Sequence, residues 1–332
     1  MSDPSKSSNV EANAVPPPCP EASISDSKLP GAARMKALYT SLTVVERIAI
    51  FSSVFIIGFA YGLDNLLRGT YEPYATSSFG EHSLLSTINV ILSVVAAASQ
   101  PTAAKIADIF GRVELVTFSV FLYVVGTVVE AVAKNVSTYA GGSVIFQVGQ
   151  SMIKALNSII VSDLTSTRSR LFFSYTPIAP ALITTWVSGN IANAVLSATD
   201  WHWGIGMWCI IYPVSALPLI TSLWAVTRRV KKQGTLEKFS TPLQALGPRD
   251  FIVELFWMLD IIGIILLVAI LALLLAPLTI AGGAQSQWKS AHIIAPLVVS
   301  AFCVPVFIYW ELRAPRPLIP MTLMKDRAVW AP

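Results

Sequence analysis

Long apolar runs follow one another along most of the chain, separated by short polar stretches. An α-helix needs about 20 mainly apolar residues to cross roughly 30 Å of hydrocarbon, and the runs meet this requirement. They predict eight membrane-spanning helices, at about residues 46–66, 83–104, 113–133, 139–161, 171–197, 205–226, 256–280 and 292–310. The pattern therefore predicts an all-α integral membrane protein.

Lysine and arginine concentrate in every second connection between these spans. From Arg34 onward, seventeen of them lie before or at the start of the first span or in alternate connections, whereas the other connections hold only Arg68, Lys134 and Lys289. Cytoplasmic loops of membrane proteins carry the excess of positive charge, so the amino terminus is predicted to be cytoplasmic.

Composition supports a membrane protein and argues against a soluble domain or a nucleic-acid-binding protein. Of the 332 residues, 54% are hydrophobic and 13% are charged, whereas soluble domains average roughly 25% charged. The net charge of +4 is spread over loops and forms no nucleic-acid footprint. The cysteines and histidines have no disulfide or metal-ligand spacing, so neither a metal nor another cofactor is expected; they are Cys19, Cys209, Cys303, His82, His202 and His292. We expect no enzymatic active site.

The polar segments divide the chain into five parts. Residues 1–45 predict a disordered cytoplasmic tail, because their Ser-, Pro- and Asn-rich sequence cannot bury enough apolar surface. Residues 46–227 predict an amino-terminal six-helix bundle, and residues 228–255 a basic cytoplasmic linker. Residues 256–311 hold helices seven and eight, and residues 312–332 predict a cytoplasmic loop that leads to a missing ninth helix. This favours a fragment or a truncated gene model over a natural carboxyl terminus.

A charged hinge separates the second and third spans. Asp108 and Arg112 lie four residues apart, and Gly111 permits a tight turn between them. Asp108, Gly111 and Arg112 resemble the signature between helices 2 and 3 of the major facilitator superfamily. By that resemblance Arg112 pairs with Asp163 below the fourth span, forming a conformational latch near Arg168.

Further motifs make the resemblance more specific. They are the segments Tyr61–Ala75, Asp200–Trp208, Trp257–Gly263 and His292–Ala295. Together with the hinge they resemble the fungal siderophore–iron transporter family, which consists of fourteen-helix facilitators. The resemblance implies a secondary active transporter that imports ferric siderophores, with proton-coupled symport by alternating access. It implies the plasma membrane, or alternatively an endosomal vesicle membrane, and iron that crosses already chelated.

Polar residues inside the spans are candidates for the transport pathway, because they are costly in hydrocarbon unless they face a cavity or a partner. The fourth span carries a polar stripe at helical spacing, formed by Gln147, Gln150, Lys154 and Asn157. It indicates a cavity lining, although interhelical hydrogen bonding would also explain it.

The first and third spans carry further candidates at their outer ends. One face of the first span presents Tyr61, Asp64, Arg68 and Tyr71. These residues fit an outer vestibule that contacts a bulky chelate, or equally an interfacial anchor. Glu130 of the third span is a candidate proton carrier, but extension to the membrane interface is the favoured interpretation.

Two alternatives to siderophore import stay open. One is a proton-coupled drug or glutathione exchanger of the same superfamily. Drug exporters carry Gly-Pro-Gly-Gly in the fifth helix, and here only Ala179-Pro180 matches it. The other is a fragment that does not transport.

Overall fold

The computed structural model describes residues 42–80, 85–166, 168–232, 256–257, 259–281 and 290–314. Most of the predicted tail, linker and terminal loop lies outside these residues. In the described ranges the structure is formed by α-helices and the turns between them. The helices are α1 Val44–Ser78, α2 Leu85–Phe110, α3 Arg112–Ala131, α4 Val136–Leu164, α5 Arg170–Ser174, α6 Ala181–Ala198, α7 Trp201–Gly206, α8 Trp208–Lys232, α9 Ile261–Ala281 and α10 Ala291–Arg313.

Seven stretches of the described residues are long and apolar enough to cross a membrane. They correspond to every predicted span except the fifth, and α7 and α8 together form one of them, Trp201–Arg229. This confirms the prediction of an all-α, multi-pass membrane protein.

The prediction of one continuous fifth span, residues 171–197, is wrong. The structure divides it into α5 and α6, with turns at residues 175–180. Pro177 and Pro180 cause the break, because proline lacks the N–H of the helical hydrogen-bond ladder. The carbonyl oxygen of Pro177 then packs against Gly58 of α1, where a Cβ would lie only 2.5 Å from it.

Helix α1 is the longest helix described, with 35 residues, and it packs against α6, α7 and α8. It begins with a capping box, in which the Thr43 hydroxyl accepts from the Glu46 N–H and the Glu46 carboxylate accepts from the Thr43 N–H. Glu46 also pairs with Arg229 of α8 at 2.7 Å, so the start of α1 and the end of α8 lie together.

Helices α3 and α4 approach each other closely along a line of glycines. A Cβ on Gly149 would lie 2.5 Å from the Tyr123 nitrogen, and one on Gly142 would lie 2.8 Å from the Glu130 nitrogen. Gly126 of α3 meets the Phe146 backbone in the same way. Small residues permit such close helix contacts in membranes. This packing holds Tyr123, Glu130 and Phe146 beside α1, while α9 packs against α2 and α10.

Candidate transport site

A buried arginine joins α1 to α3. Arg68 is 9% exposed, and its Nε donates to Asp64 Oδ1 at 2.8 Å, one helical turn earlier on α1. Its Nη1 pairs with the Glu130 carboxylate of α3, and its Nη2 donates to Thr127 Oγ1 at 2.9 Å. We call Asp64, Arg68 and Glu130 the ionic cluster.

Aromatic rings enclose this cluster. The Arg68 guanidinium lies 3.6 Å from the ring centroid of Phe146, a residue of α4. The Tyr123 hydroxyl donates to Asp64 Oδ2 at 2.6 Å. On its other side, the Tyr123 ring stacks on Tyr212 of α8, with centroids 3.7 Å apart. Residues of α1, α3 and α4 therefore contact the cluster directly, and α8 packs against Tyr123 beside it.

The charges of the ionic cluster do not balance when both carboxylates are ionised. Asp64 is 0% and Glu130 is 2% exposed, so two negative charges and one positive charge lie away from water. One bound proton would bring the sum to zero. Buried ion pairs are costly to desolvate, and ionisable groups inside a membrane protein usually mark a transport or proton pathway.

A polar cavity of about 350 Å³ opens against the cluster. Arg68 and Glu130 form part of its wall, which α1, α2, α3 and α4 supply together. Its other polar lining residues include Asn65, Glu72, Asn89, Ser143, Gln147 and Gln150. The Gln150 amide nitrogen and one Glu72 carboxylate oxygen are buried without a hydrogen-bond partner among the described residues. A ligand with both an oxygen acceptor and an N–H or O–H donor could satisfy both, because the Gln150 amide donates and the Glu72 carboxylate accepts.

The structure divides the predicted polar stripe of α4. Gln147 and Gln150 line the cavity. Lys154 is exposed, with its Nζ 5.8 Å from the ring centroid of Tyr61, whereas Asn157 is 4% exposed. Two of the four residues therefore reach the cavity together.

Burial corrects two interpretations of the outer residues. Glu130 does not extend to the membrane interface, because it is buried against Arg68. The Asp64–Arg68 pair is no interfacial anchor, since an anchor needs contact with headgroups. Tyr71 is also fully buried. The pattern missed Tyr123, Thr127, Phe146 and Tyr212, because in an apolar run such residues resemble ordinary core.

The predicted hinge forms a second charged cluster at the other end of the bundle. Gly111 adopts φ 112°, which favours glycine, and turns the chain from α2 into α3. The Arg112 guanidinium donates to Asp108 at 2.6 Å and to Asp163 of α4 at 3.4 Å. The Arg112–Asp163 pairing is thus present, and its role as a latch stays a prediction. Arg168 is exposed.

Metal ligation is not apparent in the described part of the chain. No group of three or more His, Cys, Asp or Glu residues comes together there. Cys19 and His82 lie outside the described residues, as does the side chain of His292. His202 is exposed and stacks on Trp201.

Several hydrophobic spans around a buried ionic cluster and a polar cavity define a multi-pass membrane protein. The chain belongs to the family described as fungal trichothecene efflux pump (TRI12), whose model matches residues 31–331.

Individual relatives carry transporter names. The chain is 40% identical over 283 residues to the siderophore iron transporter ARN1 of Saccharomyces cerevisiae, covering 84% of this chain and 45% of that protein. It is 41% identical to ARN2 of the same yeast, over 87% of this chain and 47% of that protein. It is 35% identical to the MFS siderochrome iron transporter C of Aspergillus fumigatus, over 92% and 50%. The chain thus spans about half the length of the curated relatives it matches.

A solved structure of the peptide transporter POT is also similar. It is 15% identical, with a TM-score of 0.46, and the match covers 81% of this chain and 68% of that one.

Proposed function

We propose that this chain supplies the amino-terminal part of a secondary active transporter that imports ferric siderophores. In this proposal, transport is coupled to protons as symport and proceeds by alternating access between two helical bundles. Residues 46–227 form the first bundle, residues 228–255 a cytoplasmic linker, and residues 256–311 an additional helix pair. The amino terminus is cytoplasmic, and the membrane is the plasma membrane or, alternatively, that of an endosomal vesicle.

The observation that carries this proposal is the position of Arg68. It lies between two buried carboxylates and also forms part of the cavity wall. Protonation of one carboxylate would weaken its hold on Arg68 and free guanidinium N–H groups for another acceptor. A chelate oxygen entering the cavity would be such an acceptor, so proton binding and substrate binding would support each other.

The cavity chemistry suits a chelate whose iron is already enclosed. The amides of Asn65, Asn89, Gln147 and Gln150 offer hydrogen bonds to oxygen and nitrogen atoms of a ligand shell. The relatives named siderophore iron transporters support this substrate class.

An uptake assay tests the proposal. The full-length product of the gene is expressed in a yeast that lacks its own siderophore carriers, and uptake of a panel of radioiron-labelled ferric siderophores is measured. We expect uptake of at least one chelate, abolished by a protonophore. Absence of uptake for every chelate, at normal surface expression, would overturn the proposal.

The family description favours a second candidate, proton-coupled efflux of small molecules such as a trichothecene. A drug or glutathione exchanger belongs to the same alternative. The same yeast separates them, because an exporter would raise resistance to an added trichothecene, or release glutathione, without bringing in iron. A chain that gives neither result would be a non-transporting fragment.

A further inference from the structure

Three polar side-chain atoms are buried between α1 and the α7–α8 span without a visible role in the ionic cluster. They are the hydroxyls of Tyr71 and Tyr212 and the indole nitrogen of Trp208. The three residues are 0–1% exposed, and in the described part of the chain none of these atoms has a hydrogen-bond partner. Buried polar groups are nearly always satisfied, often by internal water.

The three atoms lie along the line of contact between α1 and the α7–α8 span, which we call the seam. Asp64 and Tyr71 are seven residues apart, so they share one face of α1. Along the α7–α8 span, Gly204, Trp208 and Tyr212 follow at four-residue spacing and also share a face. The Tyr71 ring packs against Gly204, within 2.7 Å of the position of a Cβ. At the other end, Tyr212 stacks on Tyr123, which donates to Asp64.

Helix α1 and the α7–α8 span run antiparallel. Tyr71 lies beside Gly204, whereas Asp64, which precedes Tyr71 in the chain, lies near Tyr212, which follows Gly204. Trp208 therefore falls between these two contacts. Seven residues of helix span roughly 10 Å, a distance that a few water molecules can bridge. The seam begins near Tyr71 and Gly204, which lie toward the outer end of α1 in the proposed orientation. It ends at Asp64 of the ionic cluster.

We infer that a file of internal water along Tyr71, Trp208 and Tyr212 carries protons from the outer side to Asp64. This inference rests on the proposed proton-coupled transport. Each water would accept one proton and pass one on, and the last transfer would form an O–H bond on the Asp64 carboxylate. Each transfer would break one O–H bond and form another, so the net change is one proton moved inward and one new O–H bond on Asp64.

Charged and titratable groups surround the Asp64 end of this path. On its own helix it is paired with Arg68. The groups close enough to interact electrostatically with Asp64 are Arg68, Tyr123, Glu130, Cys209 and Tyr212, and Tyr61 of α1 interacts with Tyr212. Glu130 and Arg68 border the cavity, whereas Tyr71, Trp208 and Tyr212 are not among its lining residues. Protons and substrate would thus reach the cluster by different routes.

The substitution Tyr212→Phe tests for the water because it keeps the ring that stacks on Tyr123. A dry, unpartnered hydroxyl is unfavourable, so its removal should leave the melting temperature unchanged or raise it. A hydroxyl that binds water should instead lower the melting temperature when it is lost. Tyr71→Phe makes the same change at the other end, and Tyr309→Phe, on the exposed face of α10, is the matched control.

The experiment uses the full-length product of the gene, melted in detergent and reconstituted in liposomes with radioiron-labelled ferrioxamine B. We expect Tyr71→Phe and Tyr212→Phe to lower the melting temperature. We also expect uptake driven by an imposed pH gradient to fall by about tenfold or more, with label exchange at equal pH unchanged. Tyr309→Phe should change neither quantity.

Unchanged or higher melting temperatures, together with normal gradient-driven uptake, would overturn the inference. An equal loss of gradient-driven uptake and exchange would also overturn it, because that result indicates general damage. If the wild-type protein moves no ferrioxamine B and no other siderophore, the proposed function fails. The melting comparison still decides in that case whether the seam holds water.

Discussion

The guanidinium of Arg68 on α1 lies 3.6 Å from the centroid of the Phe146 ring on α4. This contact joins the helix that carries the buried charges to a helix that lines the cavity. Phe146 reaches this position because Gly126 and Gly149 allow α3 and α4 to pack closely. A charged group and a ring in this arrangement attract each other, most strongly where water is excluded.

Replacing Phe146 with leucine removes that attraction while keeping an apolar side chain. We expect Phe146→Leu to lower the free energy of unfolding by about 2 kcal/mol or more, since the site is desolvated and some packing is also lost. Equilibrium unfolding in mild detergent measures this change. Phe118→Leu is the matched control, because Phe118 of α3 is 49% exposed, and an effect of equal size there would contradict the prediction.

Removing the positive charge of Arg68 should be more damaging than removing all three charges of the ionic cluster. Arg68→Gln leaves two buried carboxylates without their cation, and we expect it to cost about 3–5 kcal/mol of stability. The combination with Asp64→Asn and Glu130→Gln should restore a large part of this loss. Unfolding measurements on the single and triple variants compare them. A triple variant no more stable than Arg68→Gln would contradict this account of the cluster.

Two glycines of α4 should respond oppositely to the same substitution. Gly149→Ala places a Cβ against backbone atoms of α3, so we expect a lower melting temperature and looser α3–α4 packing. Gly141→Ala meets no atom within 4 Å and should add about 0.5–1 kcal/mol of stability, because alanine favours helix. Thermal unfolding of both variants checks the pair, and equal effects would refute the proposed packing.

The Arg112 latch should influence the balance between transport states. Arg112→Ala removes the pairing with Asp163, and we expect the equilibrium to shift by about 0.5–2 kcal/mol toward the state open to the cytoplasm. A Ser166→Cys reporter, labelled by a membrane-impermeant maleimide in inside-out vesicles, measures the shift. Asp163→Asn should act in the same direction, and Arg168→Ala, at an exposed side chain, should not. Unchanged labelling in Arg112→Ala would remove the latch from the mechanism.

Hydrophobic patterning was sufficient to predict the helices, because a membrane admits few alternatives to an apolar helix. The glycine and the charges of the hinge predicted the turn at Gly111, and the resemblance to the facilitator signature predicted the pairing of Arg112 with Asp163. The fifth span was the exception. Its apolar composition resembled one helix, but Pro177 and Pro180 removed backbone donors that hydropathy does not count.

The site was harder to predict than the fold. The face that carries Asp64 and Arg68 was visible as a pattern on one helix, but its partner Glu130 is far along the chain. Only its pairing with Arg68, between α3 and α1, shows that Glu130 turns inward. Tyr123 and Tyr212 gave no periodic signal, because an aromatic ring with one polar atom is equally at home in an apolar core.

The length of α1 has an electrical consequence. Its 35 residues extend about 52 Å, well beyond roughly 30 Å of hydrocarbon, and Asp64 lies about 30 Å from its first residue. In the proposed orientation, Asp64 therefore sits toward the extracellular boundary. A proton arriving from outside would cross only a minor fraction of the membrane voltage before binding there. A pH gradient with an acidic exterior would then promote protonation of Asp64 more strongly than the membrane voltage would.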